Sequence, residues 1–312
     1  MKFAFVFPGQ GSQSVGMLDV WSDNQAVQEV IAQANTALGE DLGALIAHGP
    51  AEQLNLTTNT QPAMLAASLA MHAAWRAAGG PEPVVMAGHS LGEYAALTAA
   101  GALELADAVR LVRVRADAMQ VAVPVGTGAM AAILGLEDDA VIAACQKAEQ
   151  SDVVEAVNFN APAQVVIAGH KAAVERAMEN AKAAGAKRAV LLPVSAPFHS
   201  SLLKPAAAVL SEAIAKIDLK VPTVAVIHNV DVQVHRESAA IRQALVDQAW
   251  HPVRWVQTIQ AMASQGVTHV IECGPGKVLS GLVKRIAPEL TGLSVADPTS
   301  MQAALDAVKS RK

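Results

Sequence analysis

The sequence predicts an α/β fold: a large domain with a mainly parallel sheet, and a small domain inserted into it. Short apolar runs alternate with longer segments of helical periodicity, as expected for a parallel sheet covered on both faces. Of the 312 residues, 52% are hydrophobic, so the chain can bury one large core or two unequal ones. In the middle of the chain, the order of elements changes to strand-helix-strand-strand-helix-strand.

The large domain begins with FAFVF (3–7), an apolar run that predicts a buried strand. An Ala-rich helix is predicted from Thr60 to Ala78, because two glycines follow it directly. A second buried strand, PVVMAG (83–88), precedes a helix in LGEYAALTAAG (91–101). The same alternation returns after residue 200 and ends with the strand HVIEC (269–273) and one more helix.

The small domain is predicted at residues 125–195. Its strands are predicted at 126–136, 153–160, 164–169 and 189–195, and its helices at 138–150 and 171–184. This order is that of the ferredoxin-like motif, which can form a small domain alone. We therefore predict a ferredoxin-like (βαββαβ) domain inserted into a discontinuous large domain of residues 1–124 and 196–312.

Composition excludes several classes of function. The formal net charge of −5 gives no electrostatic footprint for nucleic acid. Two cysteines, Cys145 and Cys273, are too few for a disulfide scaffold and fit a reducing cytoplasm. The first apolar run is too short for a signal peptide, and no stretch is long enough to span a membrane. The nine histidines lack metal-ligand spacing, so we expect a cytoplasmic protein without a metal site.

The motif GHSLG (88–92) matches the nucleophile elbow G-x-S-x-G of α/β-hydrolase-like enzymes. Its glycines leave space for a strained turn that projects the Ser90 hydroxyl above the sheet, at the start of a helix that favours anions. The motif lies between a predicted strand and a predicted helix, which favours a nucleophile. A glycine-rich turn with a helix-capping serine is the alternative. His89 is interpreted as structural.

A nucleophilic serine needs a base, and His199 is the candidate. It follows the last predicted strand of the small domain, where the chain re-enters the large domain. A single histidine is more often a surface or core residue, so its position alone leaves both interpretations open. No Asp or Glu between Ser90 and His199 has an obvious claim to the third place of a hydrolase triad.

An oxyanion hole needs two donors. The backbone N–H of Leu91, directly after the serine, is the usual first donor in elbow enzymes. The Gly-rich loop in FVFPGQGSQ (5–13) can supply the second donor, with Gln10 between two glycines. A phosphate-binding loop would need a G-K-[S/T] ending, which is missing, and a plain turn remains the alternative.

Arg115 lies on the apolar side of a predicted helix from Leu105 to Met119. At 100° per residue, one apolar arc contains Leu105, Ala108, Val109, Val112, Ala116 and Met119. Arg110 and Arg113 point away from this arc, whereas Arg115 falls inside it. A buried guanidinium needs an anion, which can be a protein carboxylate or the carboxylate of a substrate.

Taken together, the motifs resemble the malonyl-CoA:acyl-carrier-protein transacylase family over nearly the whole chain. The blocks that carry the resemblance are FVFPGQGSQ, TQPA (60–63), AGHSLGEYAAL, VRADAM (114–119), GTGAMAAILG, NFNAPAQVVIAG, FHSSLLKPA and ECGPGKVL. The resemblance implies that Ser90 carries a malonyl ester and that His199 is its general base. It also implies that the backbone carbonyl of Gln248 orients His199, and that the N–H groups of Gln10 and Leu91 form the oxyanion hole.

The resemblance further implies how the substrate is held. Arg115 binds the free malonyl carboxylate, in agreement with the helix geometry. Met119 and Asn160 match residues that line the same pocket, and His89 matches a neighbour of the nucleophile. The ring of Phe198 would fill the space that an α-methyl group needs, which favours malonyl over methylmalonyl.

The implied mechanism is ping-pong, with malonyl-CoA and the phosphopantetheine thiol of acyl carrier protein as successive substrates and no cofactor. Acyl carrier protein would be a transient partner of a monomeric enzyme, without membrane or nucleic-acid partners. Carrier proteins are usually acidic, so a basic rim is expected. The candidates are Lys187, Arg188, Lys204, Lys277, Lys284 and Arg285, although a solvated surface is the commoner role of such charges.

Three other functions remain compatible with parts of the sequence. A serine hydrolase or thioesterase could use the same elbow, but Arg115 and the missing triad acid oppose it. A discrete acyltransferase of a polyketide or malonate decarboxylase system would carry nearly the same motifs. A non-catalytic binding module is opposed by the joint presence of Ser90, His199 and Arg115.

Overall fold

A computed structural model describes residues 1–194 and 196–309 of the chain. The strands are β1 (Phe3–Phe7), β2 (Val85–Gly88), β3 (Gly128–Leu134), β4 (Val154–Ala161), β5 (Gln164–His170), β6 (Arg188–Leu191), β7 (Ala225–Ile227), β8 (His269–Cys273) and β9 (Thr291–Val295). The helices are α1 (Gln25–Leu38), α2 (Leu42–His48), α3 (Ala51–Leu54), α4 (Thr57–Ala77), α5 (Gly92–Ala99), α6 (Leu105–Val121), α7 (Asp138–Glu149), α8 (Lys171–Ala183), α9 (Lys204–Ile214), α10 (Ser238–Gln248), α11 (Trp255–Ser264), α12 (Val278–Ile286) and α13 (Pro298–Lys309). No α-helix in these residues is long and apolar enough to cross a membrane.

The first sheet has five parallel strands in the order β7-β2-β1-β8-β9. Its central strand β1 is buried along its whole length, because side chains on both faces are covered. Phe5 and Phe7 pack with Trp75 on one face, whereas Val6 belongs to a core with Trp255 on the other. The predicted parallel sheet, covered on both faces, is confirmed.

The second sheet has four antiparallel strands in the order β4-β5-β3-β6. Residues of α7 and α8 pack against one face, around Ile133, Val165 and Ile167. The other face carries Met130 and Val166, which lie beside Phe198 rather than under a helix. The second sheet therefore keeps one face free to form the wall of a cavity.

The predicted elements agree with the observed ones to within a few residues, with two instructive differences. The helix predicted from Thr60 begins at Thr57, so Pro62 lies inside the helix and cannot donate to the carbonyl of Thr58. The strand predicted at 189–195 ends at Leu191. The Leu192 N–H still donates to the Met130 carbonyl at 2.9 Å, but the Val194 N–H turns back to the Leu192 carbonyl at 2.8 Å, so the pairing with β3 stops. Ser195, the last residue of that prediction and of the predicted small domain, lies outside the described residues.

The two sheets are joined by a short parallel bridge. The Val253 N–H donates to the Val157 carbonyl at 2.8 Å, and the Phe159 N–H donates to the Val253 carbonyl at 3.0 Å. These bonds tie β4 to the chain just before α11. They hold the free face of the second sheet against the carboxyl ends of the first sheet's strands, where the elbow lies.

A substitution at Gly88, the last residue of β2, should test the tight packing of the elbow. A Cβ at Gly88 would lie 1.8 Å from the carbonyl carbon of Gly92, so Gly88→Ala should destabilise the protein by about 3 kcal/mol or more. A Cβ at Gly281, exposed on α12, meets no atom within 4 Å. Gly281→Ala should therefore stabilise the protein by about 0.5–1 kcal/mol. Urea unfolding of both variants measures the difference, and equal stability of Gly88→Ala and wild type would contradict the packing argument.

Candidate active site

Ser90 occupies a strained turn between β2 and α5, with a φ of 52°. The turn needs glycine on both sides, since a Cβ at Gly92 would lie 2.0 Å from the Phe7 carbonyl oxygen, and one at Gly88 would strike Gly92 itself. The N-terminus of α5 has no side-chain cap. The Ser90 hydroxyl instead lies 2.7 Å from the ring of His199, so it does not act as a helix cap.

The contacts of His199 define its tautomer. Its Nδ1 lies 2.8 Å from the backbone carbonyl oxygen of Gln248, and its Nε2 lies 2.7 Å from Ser90 Oγ. A carbonyl only accepts, so Nδ1 carries the proton and Nε2 is left to accept the proton of the Ser90 hydroxyl. The pair thus has the geometry of a nucleophile and its general base, oriented by a backbone carbonyl in place of a carboxylate.

The electrostatic surroundings keep His199 neutral. Burial, and secondly the nearby Arg115 cation, lower the pKa of His199 to about 3. Burial also lowers the pKa of His89, whose Nε2 lies 2.7 Å from the Asn160 side-chain oxygen. The neutral imidazole of His199 is the form that can take a proton from Ser90.

The Arg115 side chain is buried and points at the nucleophile. Its Nη2 donates to Ser90 Oγ at 3.1 Å and to the Gln248 side-chain oxygen at 3.0 Å, and its Nη1 donates to the Gln61 side-chain oxygen at 2.6 Å. The guanidinium carbon lies 5.3 Å from the centre of the Tyr94 ring. Every direct partner of the cation is therefore uncharged.

Among the described residues, Arg115 does not form the internal ion pair that was the alternative to substrate binding. Within residues 1–194 and 196–309, no carboxylate oxygen lies within 4.0 Å of its guanidinium nitrogens. In the same residues its Nε has no hydrogen-bond partner. Burial, the largest cause, lowers the pKa of this guanidinium. Tyr94 and Glu93 partly offset this effect without a direct ion pair, so the cation lacks a negative charge in contact with it. An anion that enters beside Ser90 would supply it.

Gln10 and Leu91 lie at the same cavity as Ser90. In the described part of the chain, neither backbone N–H donates to a protein acceptor. The side chain of Gln10 is held by Thr57, 3.2 Å from its amide nitrogen, which anchors the loop after β1. Two free N–H groups beside a nucleophile can stabilise an oxyanion.

These side chains surround one cavity of about 210 Å³. The first sheet and its helices form one wall, and the free face of the second sheet forms the other. The cavity brings together most of the site residues that the sequence predicts: Gln10, His89, Ser90, Leu91, Arg115, Met119, Asn160, Phe198 and His199. Gln248 lies behind this wall and contacts His199 and Arg115. None of the six basic residues suggested for the rim lines the cavity itself.

Four polar residues at the site were not assigned a role from the sequence, and one of them, Asn158, lines the cavity from β4. Gln61 holds Arg115, and its only signal was its place in the TQPA block. Asn229, two residues after the end of β7, accepts from the Ser90 N–H at 2.8 Å and donates to the Gly88 carbonyl at 2.7 Å. Glu93 is a fully buried carboxylate on α5 that contacts Asn229 and Gln248. The structure describes no cluster of three or more His, Cys, Asp or Glu side chains arranged to bind a metal.

The chain is similar to known acyl transferases in both sequence and structure. The acyl transferase domain family matches residues 4–300. Malonyl CoA-acyl carrier protein transacylase of Escherichia coli K12 is 56% identical over 306 residues, which cover 98% of this chain and 99% of that protein. The structure is similar to that of acyl-carrier-protein S-malonyltransferase from Burkholderia pseudomallei, with 63% identity, a TM-score of 0.97, and coverage of 98% of this chain and 100% of that one. A malonyl-transacylase solved in complex with a type II PKS acyl-carrier protein is also similar, with 49% identity, a TM-score of 0.97, and coverage of 98% and 100%.

The low pKa of His199 predicts an unusual pH dependence for acylation of Ser90. A base with a lowered pKa stays neutral to lower pH, so kcat/KM with an uncharged thioester should stay constant from about pH 8 to about pH 5. Stopped-flow measurement of thiol release gives this profile. An inflection near pH 6.5, the ordinary value for histidine, would show that His199 is not shielded in this way.

Proposed function

Since the chain belongs to the acyl transferase domain family, we propose that Ser90 carries the malonyl group that the enzyme moves from malonyl-CoA to acyl carrier protein. The position of Arg115 is the observation that most supports these substrates. Its Nη2 lies 3.1 Å from Ser90 Oγ, inside the cavity and without a carboxylate partner among the described residues. A malonyl chain on Ser90 places its free carboxylate where it can pair with this cation.

The first half-reaction loads the enzyme. His199 Nε2 takes the Ser90 proton while Oγ attacks the thioester carbonyl of malonyl-CoA. The oxygen of the tetrahedral intermediate is negative and accepts from the N–H groups of Gln10 and Leu91. When the C–S bond breaks, the CoA sulfur leaves and takes the proton from His199, which returns the imidazole to its neutral form.

The second half-reaction reverses these steps with another thiol. The phosphopantetheine thiol of the carrier protein gives its proton to His199 Nε2, and its sulfur attacks the malonyl ester. The intermediate then expels Ser90 Oγ, which regains the proton from His199. The malonyl group thus ends on the carrier thiol, the Ser90 hydroxyl and the neutral His199 are regenerated, and no resident cofactor takes part in either step.

Several contacts favour a thiol as acceptor of the malonyl group and malonyl as the acyl group. The Nδ1 of His199 is held by the Gln248 carbonyl and not by the carboxylate of a hydrolase triad. Phe198 lines the cavity with Met119 and Asn160, where its ring can take up space beside an acyl group on Ser90. We propose that this ring disfavours methylmalonyl.

We propose fatty-acid synthesis as the pathway, supported by the similarity to the Escherichia coli malonyl CoA-acyl carrier protein transacylase. A discrete acyltransferase of a polyketide system is the second candidate. This second candidate is supported by the similarity to a malonyl-transacylase that was solved in complex with a type II PKS acyl-carrier protein. The chemistry at Ser90 is the same in both, and rates with carrier proteins of the two pathways separate them.

Finer features of the molecule are also proposals. The sheet order β4-β5-β3-β6 with α7 and α8 on one face supports a ferredoxin-like domain at about residues 125–195. We propose a monomer in the cytoplasm, consistent with two free, buried cysteines. Acidic carrier protein would meet the basic candidates around the cavity. These are Lys187, Arg188, Lys204, Lys277, Lys284 and Arg285.

The covalent intermediate is tested by intact-mass measurement. Incubation with malonyl-CoA should add one malonyl mass to the wild-type protein and none to Ser90→Ala. His199→Ala keeps the nucleophile but loses its base, so its loading should be slower by about 10²-fold or more. An adduct that persists in Ser90→Ala would remove Ser90 from the role of nucleophile.

The role of Arg115 is tested by comparing malonyl-CoA with acetyl-CoA. Arg115→Ala should lower kcat/KM for malonyl loading by roughly 10²–10³-fold, because it leaves a buried carboxylate unpaired. Acetyl loading has no such carboxylate and should change by less than about tenfold.

The matched control for Arg115 is Arg113→Ala on the same helix. Arg113 pairs with Glu40 at 2.8 Å, away from the cavity, so its loss should leave the ratio of malonyl to acetyl loading unchanged. Equal losses for both substrates in Arg115→Ala would mean that Arg115 has only a structural role.

A further inference from the structure

Glu93 is a fully buried carboxylate, three residues after Ser90, that no step of the reaction uses. Three donors surround it: His228 Nδ1 lies 2.7 Å from Oε1, and the Asn229 N–H and Gln248 Nε2 lie 2.9 and 3.0 Å from Oε2. Among the described residues, His228 Nε2 has no hydrogen-bond partner. A carboxylate only accepts, so His228 donates to Glu93 through Nδ1.

The first consequence of these contacts concerns the side chain of Gln248. An amide presents an oxygen on one side and an NH2 group on the other, and Glu93 only accepts. The NH2 group therefore faces Glu93 and the Ser90 carbonyl, 2.9 Å away. The oxygen is left to face Arg115 Nη2 at 3.0 Å. A reversed amide would place NH2 against the guanidinium and push Arg115 away from its position beside Ser90.

The second consequence concerns the elbow itself. Oε2 of Glu93 accepts from the Asn229 N–H and so holds the start of the loop after β7. The Asn229 side chain then accepts from the Ser90 N–H and donates to the Gly88 carbonyl. One carboxylate oxygen thus connects the arginine and the strained serine turn through two amide side chains.

We propose that Glu93 is a positioning residue that sets the preference for a carboxylate-bearing acyl group, because its acceptor oxygen fixes the amide orientation of Gln248 and thereby the place of Arg115. The proposal rests on the proposed function of Arg115. It predicts a specific defect: loss of the Glu93 oxygen should harm malonyl loading more than acetyl loading, since acetyl does not use Arg115. A residue that only stabilises the fold would lower both rates together.

The test compares Glu93→Met with Glu93→Gln. Glu93→Met removes the acceptor at similar length, and the ratio of malonyl to acetyl kcat/KM should fall by about ten- to hundredfold, the effect of one buried hydrogen bond to a charged group. In Glu93→Gln the amide oxygen can still accept from Asn229 and Gln248. Its NH2 group faces His228, which must then carry its proton on the partnerless Nε2, so this variant can lose stability on the side away from Gln248. This variant should keep the ratio within about threefold of wild type.

Glu272→Gln is the matched control for a buried carboxylate. Glu272 is also fully buried, but it accepts from the Ser280 N–H at 2.8 Å at the start of α12 and does not line the cavity. Its substitution can change stability and should leave the ratio of malonyl to acetyl loading unchanged. A change in this ratio would show that any buried carboxylate has the same effect, which would overturn the specific role of Glu93.

The remaining outcomes separate the inference from the proposed function. An unchanged ratio in Glu93→Met, or an equal fall in Glu93→Met and Glu93→Gln, would overturn the role of the acceptor oxygen. If Glu93→Met does not fold, Gln248→Met removes the same amide and keeps the backbone carbonyl that holds His199. Its ratio must then fall about tenfold or more. If wild-type enzyme does not load malonyl on Ser90 at all, the proposed function fails before this inference is reached.

Discussion

The active site is organised around a buried arginine that has no carboxylate partner in the described structure. Burying a guanidinium in this way is costly, and its pKa is lowered accordingly. Gln61, Gln248 and Ser90 supply oxygen atoms to Arg115 without supplying a full charge. These neutral acceptors hold the guanidinium in place, and the Glu93 carboxylate reaches it only through Gln248, without direct contact. The site is therefore better complemented by an acyl group that brings its own carboxylate than by one that does not.

The second constraint is the strained turn at Ser90. This turn can form only because the backbones of β1, β2 and α5 lie very close together around it. Gly88 and Gly92 lie so near to each other and to Phe7 that a Cβ at either position would collide. This approach places the Ser90 hydroxyl between a base on one side and a cation on the other. The free face of the second sheet then closes the cavity, with Met130 and Val166 as apolar wall. The second sheet thus gives the cavity its apolar wall, whereas the elements around the first sheet carry the charged and reactive groups.

The parts of this arrangement that follow a repeating pattern could be predicted from the sequence. The run FAFVF gave β1 to the residue, since a strand buried on both faces has no polar position. Helical periodicity placed Arg115 inside the protein, and the structure finds it buried. The role of the Gln248 backbone carbonyl was implied only by family resemblance. Every residue has a backbone carbonyl, so the sequence carries no signal for the one that contacts His199. Glu93 and Asn229 were missed because their partners lie more than 130 residues away along the chain.

Selection and catalysis are coupled through charge at this site. After burial, the Arg115 cation is the largest cause of the low pKa of His199, because a positive neighbour disfavours a second positive charge. A malonyl carboxylate that pairs with Arg115 cancels much of this field. The imidazole then accepts the proton of Ser90 or of the incoming thiol more readily than it does in the empty site. An acetyl group leaves the field in place. With the proposed role of Arg115, it is therefore the malonyl carboxylate, by neutralising the cation, that makes His199 a stronger base.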